Sequence, residues 1–144
     1  MSALVFNTRR PQFKDARVRR ALMTLFDAEL INRTLFSGLY ARTQSYFARS
    51  YLSSAGKPAD EQEKRLLADF PDAVRPEIMQ GTYRFPVTDG SGQNRTNQKA
   101  AYALLQEAGY ALQNARMIDT RSGAPLAFEI LAYNSWQEAL LLSY

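Results

Sequence analysis

An apolar stripe at helical spacing in residues 18–26 is the feature that most constrains how this chain can fold. Five apolar side chains recur at i, i+3, i+4, i+7 and i+8, namely Val18, Ala21, Leu22, Leu25 and Phe26. This spacing places them on one side of an α-helix, which has to bury that side against another element. Asp15 stands before the stripe, where a carboxylate suits the positive end of a helix. The pattern predicts a helix from about Asp15 to Phe26.

Three further helices are predicted from capping residues and shorter stripes. Asp27 has the position of a second N-cap, and Gly38 suits a left-handed stop at the end of that helix. Acidic residues open a third helix over residues 60–70, and a fourth covers residues 94–108, with Gly109 just past its end. The chain is therefore predicted to be rich in helix, and each helix begins at a polar cap.

Short apolar runs predict a small amount of β-structure. Residues 3–7 are expected to form a strand, and residues 116–119 and 126–133 to form a hairpin around the glycine-bearing turn at 120–123. A last helix is expected over residues 136–144. The predicted fold class is α/β (α+β), with helices packed on a small, incomplete sheet and a hairpin near the C-terminus.

The two ends of this pattern also carry a prediction about domain organisation. The expected last helix has no capping residue after it, and a small sheet with unpaired edges needs to be covered. We therefore expect residues 1–144 to be a single-domain piece of a longer protein. The surfaces that such a piece exposes would favour self-association.

The residue types that are missing exclude several classes of chemistry. The chain contains neither cysteine nor histidine, so disulfides, thiol nucleophiles, imidazole catalysis and zinc sites built from these residues are excluded within it. No pair of carboxylates has a spacing typical of acid–base catalysis, and no glycine-rich phosphate loop occurs. These absences leave open an enzyme that works with carboxylates alone, and no metal or cofactor is expected.

The charge of the chain is uneven. Residues 1–50 hold nine basic and three acidic residues, whereas the remainder holds nine basic and eleven acidic ones. A basic half can attract nucleic acid or another protein, so a basic helical interaction module is the alternative function. The favoured interpretation is a solvated helix face without nucleic acid, because no aromatic platform accompanies the arginines. No apolar run approaches the roughly 18 residues that a membrane span requires.

Arg19 and Asp27 are predicted to have structural roles. Arg19 stands eight residues before Asp27, a distance of about two helical turns. Its guanidinium can fold back against the Asp27 carboxylate or against a nearby carbonyl. Either contact would fix the corner between the first two predicted helices.

The most specific pattern lies at residues 6–22, which have the sequence FNTRRPQFKDARVRRAL. Together with residues 27–38, 86–95, 103–110 and 123–131, this segment resembles the family 5 extracytoplasmic solute-binding proteins of bacterial ABC importers. The later segments are most similar to the subgroup that binds oligopeptides and microcin C. Gln12 departs from the family pattern, which usually has a second proline there.

The resemblance implies a fold and a function. Its members are two-lobed clamshells that capture a solute between the lobes and deliver it to a membrane permease without changing it chemically. This chain would be part of the second lobe of a periplasmic protein whose signal peptide and first lobe lie outside it. The expected partners are a peptide or peptide-like solute and an ABC transporter permease.

The resemblance also places a candidate binding site in residues 40–52, where tyrosine, serine and arginine alternate without a helical or strand period. Tyr46 and Phe47 could stack on solute side chains, while Arg42, Ser45 and Ser50 could meet polar groups or a carboxylate. The alternative is that Tyr46 and Phe47 pack in a core or against the other lobe.

Overall fold

A computed structural model describes residues 3–133, which divide into two compact units. One unit comprises residues 3–40 with 86–133, and the other comprises residues 41–85. In chain order the elements are α1 (Pro11–Lys14), α2 (Ala16–Leu25), α3 (Ala28–Leu35), α4 (Glu61–Leu67), α5 (Pro76–Met79), α6 (Arg95–Glu107), β1 (Tyr110–Gln113) and β2 (Arg116–Asp119). The predicted α/β class is thereby confirmed. The helix expected over 136–144 lies outside the described residues.

Local capping sets where α2, α3 and α6 begin. The side chain of Asp15 accepts a hydrogen bond from the N–H of Arg17 at 2.8 Å, and that of Asn94 accepts from Asn97 at 3.0 Å. Asp27 caps α3 in the same way. Each cap satisfies a backbone donor that the first helical turn leaves without a partner. These helices begin where the sequence predicts them.

Helices α2 and α6 pack against each other and hold the core of the first unit. The buried members of this core are Phe13, Val18, Ala21, Ala101, Leu105, Ala108 and Tyr110. Val18 is 1% exposed, and the ring of Phe13 lies 5.2 Å from that of Phe6 and 5.3 Å from that of Phe128. The stripe read from residues 18–26 therefore faces α6 only in part, because Leu25 is exposed at its far end.

The hairpin lies earlier in the chain than predicted. Strand β1 pairs antiparallel with β2, with Tyr110 opposite Asp119 and Gln113 opposite Arg116. The connection is Asn114-Ala115, and both residues have left-handed backbone angles, at φ 49° and 60°. Asn114 suits the first position of such a turn, but Ala115 stands where glycine is usual, so the sequence signal for this turn is weak.

The two other strand predictions are wrong for the described residues. Residues 126–133 contain no strand, although Ile118 bridges Pro125 and the N–H of Leu126 donates to Met117 O at 2.7 Å. Residues 3–7 contain no strand either. Short apolar runs do not identify their pairing partners, and β2 pairs with β1 over its full length.

The second unit, residues 41–85, contains α4 and α5 but no buried residue. Asp60 and Glu63 form a reciprocal capping box at the start of α4. This helix ends at Leu67 rather than Phe70, because the next N–H groups bond three residues back, as at Ala68 N to Arg65 O. Across residues 3–133, no helix has the length and apolar character needed to cross a membrane.

Candidate functional site

The five predicted contact residues Arg42, Ser45, Tyr46, Phe47 and Ser50 all lie in the second unit, in a segment without helix or strand. Four of them belong to a stretch whose two ends meet. The hydroxyl oxygens of Ser45 and Ser53 lie 2.9 Å apart and share a hydrogen bond. We name residues 45–53 the closed loop.

The serine hydroxyls in the closed loop bond to the loop itself. The Ser50 hydroxyl donates to the carbonyl of Phe47 at 2.8 Å and accepts from the N–H of Leu52 at 3.3 Å. Ser45 is occupied by its contact with Ser53. These hydroxyls therefore shape the loop, which differs from the polar solute contacts that the sequence suggested for them.

The aromatic rings of the closed loop are exposed. Tyr46 is 88% exposed and Phe47 is 58% exposed. Tyr51, which the sequence reasoning did not select, is 87% exposed. The alternation of aromatic and serine residues could have pointed to it, since Tyr51 follows Ser50 as Tyr46 follows Ser45. Exposed rings of this kind are typical of contact surfaces rather than of a core.

Arg42 stands outside the closed loop and takes a different partner. Its guanidinium carbon lies 4.8 Å from the centre of the Phe85 ring, within the range of a cation–π contact. The N–H of Phe85 donates to the side-chain oxygen of Gln44 at 3.1 Å. Arg42 is therefore placed beside the end of the second unit.

The first unit has a polar cluster of its own around Asp27. The Asp27 carboxylate accepts from the N–H of Leu30 at 3.0 Å, from the Thr88 hydroxyl at 2.5 Å and from the N–H of Gly92 at 2.9 Å. The Thr88 hydroxyl also contacts Glu29. Residues 88–92 are thereby fixed to the start of α3.

The electrostatics of Asp27 follow from these contacts. Burial opposes its ionisation, but the bonds from Thr88, Leu30 and Gly92, with the nearby charge of Arg33, outweigh that effect and hold the pKa of Asp27 below its usual value. The Arg33 guanidinium also donates to Gly90 O at 2.5 Å. Asp27 is thus a buried, ionised anchor for the returning chain.

Arg19 does not bond to Asp27. Its guanidinium donates to the carbonyls of Phe13 and Lys14, at 2.6 and 2.8 Å. These carbonyls belong to the end of α1, so the arginine joins α1 to α2. The corner between α2 and α3 is held instead by the Asp27 cap.

Two cavities in the described residues are small. One, of about 40 Å³, lies beside Asp27, Thr88 and Asn97 in the first unit. The other, of about 190 Å³, is lined in the second unit mainly by apolar side chains such as Leu67, Phe70 and Met79. Both are below the roughly 300 Å³ at which pockets for small molecules begin. Within residues 3–133, no group of three or more acidic side chains is arranged to hold a metal ion.

The chain was compared with known protein families and with proteins of similar sequence. The family described as bacterial extracellular solute-binding proteins, family 5 (middle part), matches residues 1–141. Over its whole length the chain is 52% identical to a candidate binding protein of Brucella suis. In Agrobacterium fabrum it is 44% identical to the peptidoglycan-binding protein YepA and 38% identical to the probable peptide-binding protein YejA. The chain spans 23% of the length of each of these relatives.

Proposed function

The chain belongs to the bacterial extracellular solute-binding proteins of family 5, and we propose that it serves in the capture of peptides or peptide-like solutes. In this proposal, residues 1–144 form part of the second lobe of a periplasmic binding protein. The solute passes to the permease of an ABC importer and is not chemically altered. A basic interaction module is not favoured, because the matched family is described as solute-binding and two relatives are named peptidoglycan-binding and peptide-binding.

The observation that carries the proposal is the exposed aromatic surface of the closed loop. Peptide-binding surfaces use main-chain hydrogen bonds for affinity and open, apolar contacts for side chains of varied shape. Tyr46 and Phe47 offer such contacts, since both rings are mostly exposed. The small size of the two cavities supports contact at an open surface, which the first lobe would complete.

The names of two relatives support the solute class. One is called peptidoglycan-binding and another peptide-binding, and short peptides are the chemistry that these two solutes share. A peptide presents backbone N–H and C=O groups at regular intervals, together with side chains of any type. A loop with exposed rings and few fixed polar partners suits such a varied solute.

Closure around the solute would be a shift between two populations. A solute shifts the equilibrium of a binding protein from the open to the closed state only as far as it binds the closed state more tightly. The closed loop would supply part of that difference, because its rings gain contacts only when the cleft is occupied and closed. No step of this mechanism requires a proton transfer or a bound cofactor.

The test is isothermal titration calorimetry. Defined tripeptides are titrated one at a time into the longest natural polypeptide that carries this sequence, and the dissociation constant of each is measured. We expect Tyr46→Ala and Phe47→Ala each to weaken peptide binding by about 2- to 12-fold, which corresponds to 0.5–1.5 kcal/mol for a lost ring contact. Leu66→Ala removes an apolar side chain from α4 whose exposure lies between those of Tyr46 and Phe47, and is the control. Unchanged affinity in both aromatic variants would contradict the proposed site.

A further inference from the structure

We infer that the closed loop selects solutes that carry a carboxylate beside a flat or apolar group, with Arg49 as its charged contact and Tyr51 as a further ring contact. The inference rests on the proposed function and deepens it. It names two residues that the sequence reasoning did not select. It also names the charge of the preferred solute.

The first support is that the closed loop holds its shape through its own bonds. Successive turns join Ala48 N to Ser45 O at 3.3 Å, Ser50 N to Phe47 O at 3.1 Å and Ser53 N to Ser50 O at 3.1 Å. The Ser45–Ser53 contact then closes the ends. Compact surface loops with joined ends are frequently functional, and a loop that is already ordered loses less entropy when it binds.

The second support is the backbone of Arg49. It has φ 66°, in the left-handed region that side chains other than glycine, asparagine and aspartate rarely adopt. Such a conformation costs free energy and persists where the surrounding structure enforces it, often in ligand-binding segments. Here Arg49 is the third residue of the turn that the Ser50 N–H closes on the carbonyl of Phe47, and that turn holds it in this conformation. An arginine is thus kept at a position where glycine would be easier to accommodate.

The third support is charge. Residues 41–59 contain Arg42, Arg49 and Lys57 but no acidic residue. Arg42 stacks on Phe85, and the Lys57 ammonium donates to Tyr51 O at 3.2 Å. The ion pairs within residues 3–133 involve other arginines and lysines, so Arg49 is exposed without a carboxylate on it. A positive surface of this kind attracts anions.

The side chains around Arg49 determine which anion fits. Tyr46, Phe47 and Tyr51 lie within three residues of it in the closed loop, and all three rings are more than half exposed. A guanidinium pairs with a carboxylate through two parallel hydrogen bonds, and an adjacent ring provides contact for a planar or apolar group. An acidic side chain next to an aromatic one in a peptide offers both features.

The test compares two amidated tetrapeptides that differ by one charge, Ala-Tyr-Glu-Ala and Ala-Tyr-Gln-Ala, by calorimetry on the natural polypeptide. The glutamate peptide is expected to bind roughly 3- to 10-fold more tightly at low salt, and the ratio is expected to fall as salt screens the charge. Arg49→Asn tolerates the left-handed backbone and should bring the ratio close to one. Arg49→Lys should keep most of it.

Two further variants separate the ring contact from charge. Tyr51→Ala is expected to weaken both peptides alike, by about 2- to 12-fold, and to leave their ratio unchanged. Arg20→Gln removes one exposed arginine from α2 and is the charge control, with no expected effect. Ser45→Ala, which opens the Ser45–Ser53 contact, should weaken both peptides.

The outcomes distinguish the two proposals. Equal binding of the two peptides by the natural polypeptide, unchanged in Arg49→Asn, would overturn the charge selection and leave peptide capture intact. An Arg49→Asn variant that weakens both peptides equally would likewise overturn it. Unaltered binding in Tyr51→Ala would remove that residue from the site. Binding of neither peptide would overturn the inference and the proposed function together.

Discussion

The two units of this chain are stabilised in different ways. In residues 3–40 with 86–133, two long helices bury a core that includes Val18 and Leu105, and a buried carboxylate fixes the returning chain. In residues 41–85 no side chain is buried, and the backbone is held by turns, a capping box and contacts such as Arg75 over Tyr83. The first unit has a buried core, whereas the second has none and exposes the rings of Tyr46, Phe47 and Tyr51.

The difference teaches where contact surfaces can be placed. Segments with few buried apolar contacts open at low free energy, and binding loops are usually drawn from such segments. The following predictions compare the stability of the two units. Two of them change the same type of residue in both units, and the third removes a buried charge that only the first unit has.

The largest expected effect comes from the core. Leu105→Ala should lower the free energy of unfolding by about 3 kcal/mol, because Leu105 is buried between α2 and α6 and its removal leaves a cavity. Leu66→Ala, on exposed α4, should lower it by less than about 0.5 kcal/mol. Urea unfolding followed by circular dichroism measures both. Equal losses would show that residues 41–85 have a core of their own.

A smaller effect is expected from two aspartates with the same capping role. Asp27→Ala should cost about 2–3 kcal/mol, because it removes the acceptor of the Leu30 and Gly92 N–H groups and one of the two acceptors of the Thr88 hydroxyl in a buried place. Asp60→Ala should cost about 1 kcal/mol, since its capping box is exposed to water. Thermal unfolding of the two variants side by side gives the comparison, and a larger loss for Asp60→Ala would reverse it.

The smallest expected effect is a dependence on pH. The depressed pKa of Asp27 means that the folded state favours the ionised carboxylate. Its stabilisation is complete above the unfolded value of about 4 and is lost as pH falls through the folded pKa. The nearby charge of Arg33 contributes to this lowering of the Asp27 pKa.

The readout is the free energy of unfolding in urea between pH 7 and pH 3. Asp15, Asp89 and Asp119 also have lowered pKa values, so the natural polypeptide should lose stability on acidification for several reasons. Asp27→Asn should lose less over the same range, because its amide does not titrate. An identical pH profile for the variant would show that the bonds to Asp27 do not depend on its charge.

Several elements could be predicted because their causes lie within a few residues. Asp15, Asp27, Asp60 and Asn94 each cap a helix by bonding an N–H two or three positions ahead, and each helix begins where the sequence indicates. Residues 40–52 were also predicted to lack helix and strand, because their mixture of aromatic and serine residues has no regular period. Its internal bonds were not predictable, since they depend on the turns that the backbone makes.

The strands were harder to predict from the sequence than the helices, and Ala115 illustrates the reason. A two-residue hairpin needs left-handed backbone at both positions, and alanine gives no sign that it will adopt it. The sequence favoured the later turn at Gly123, which does form, but among the described residues after it only Pro125 bridges β2. Residues 110–113 pair with β2, although residues 126–133 were the predicted partner, and amino-acid composition does not reveal which of the two segments pairs.

The sequence by itself determined the helix starts, the apolar stripe of α2 and the family, because these depend on short spacings and local hydrogen bonds. Tertiary structure decided what the carboxylate of Asp27 would hold and which segment would pair with β2. Thr88 and Gly92 lie more than 60 residues from Asp27 along the chain, so only folding brings their donors to it. Contacts over such distances depend on how the whole backbone closes, and no local pattern encodes that.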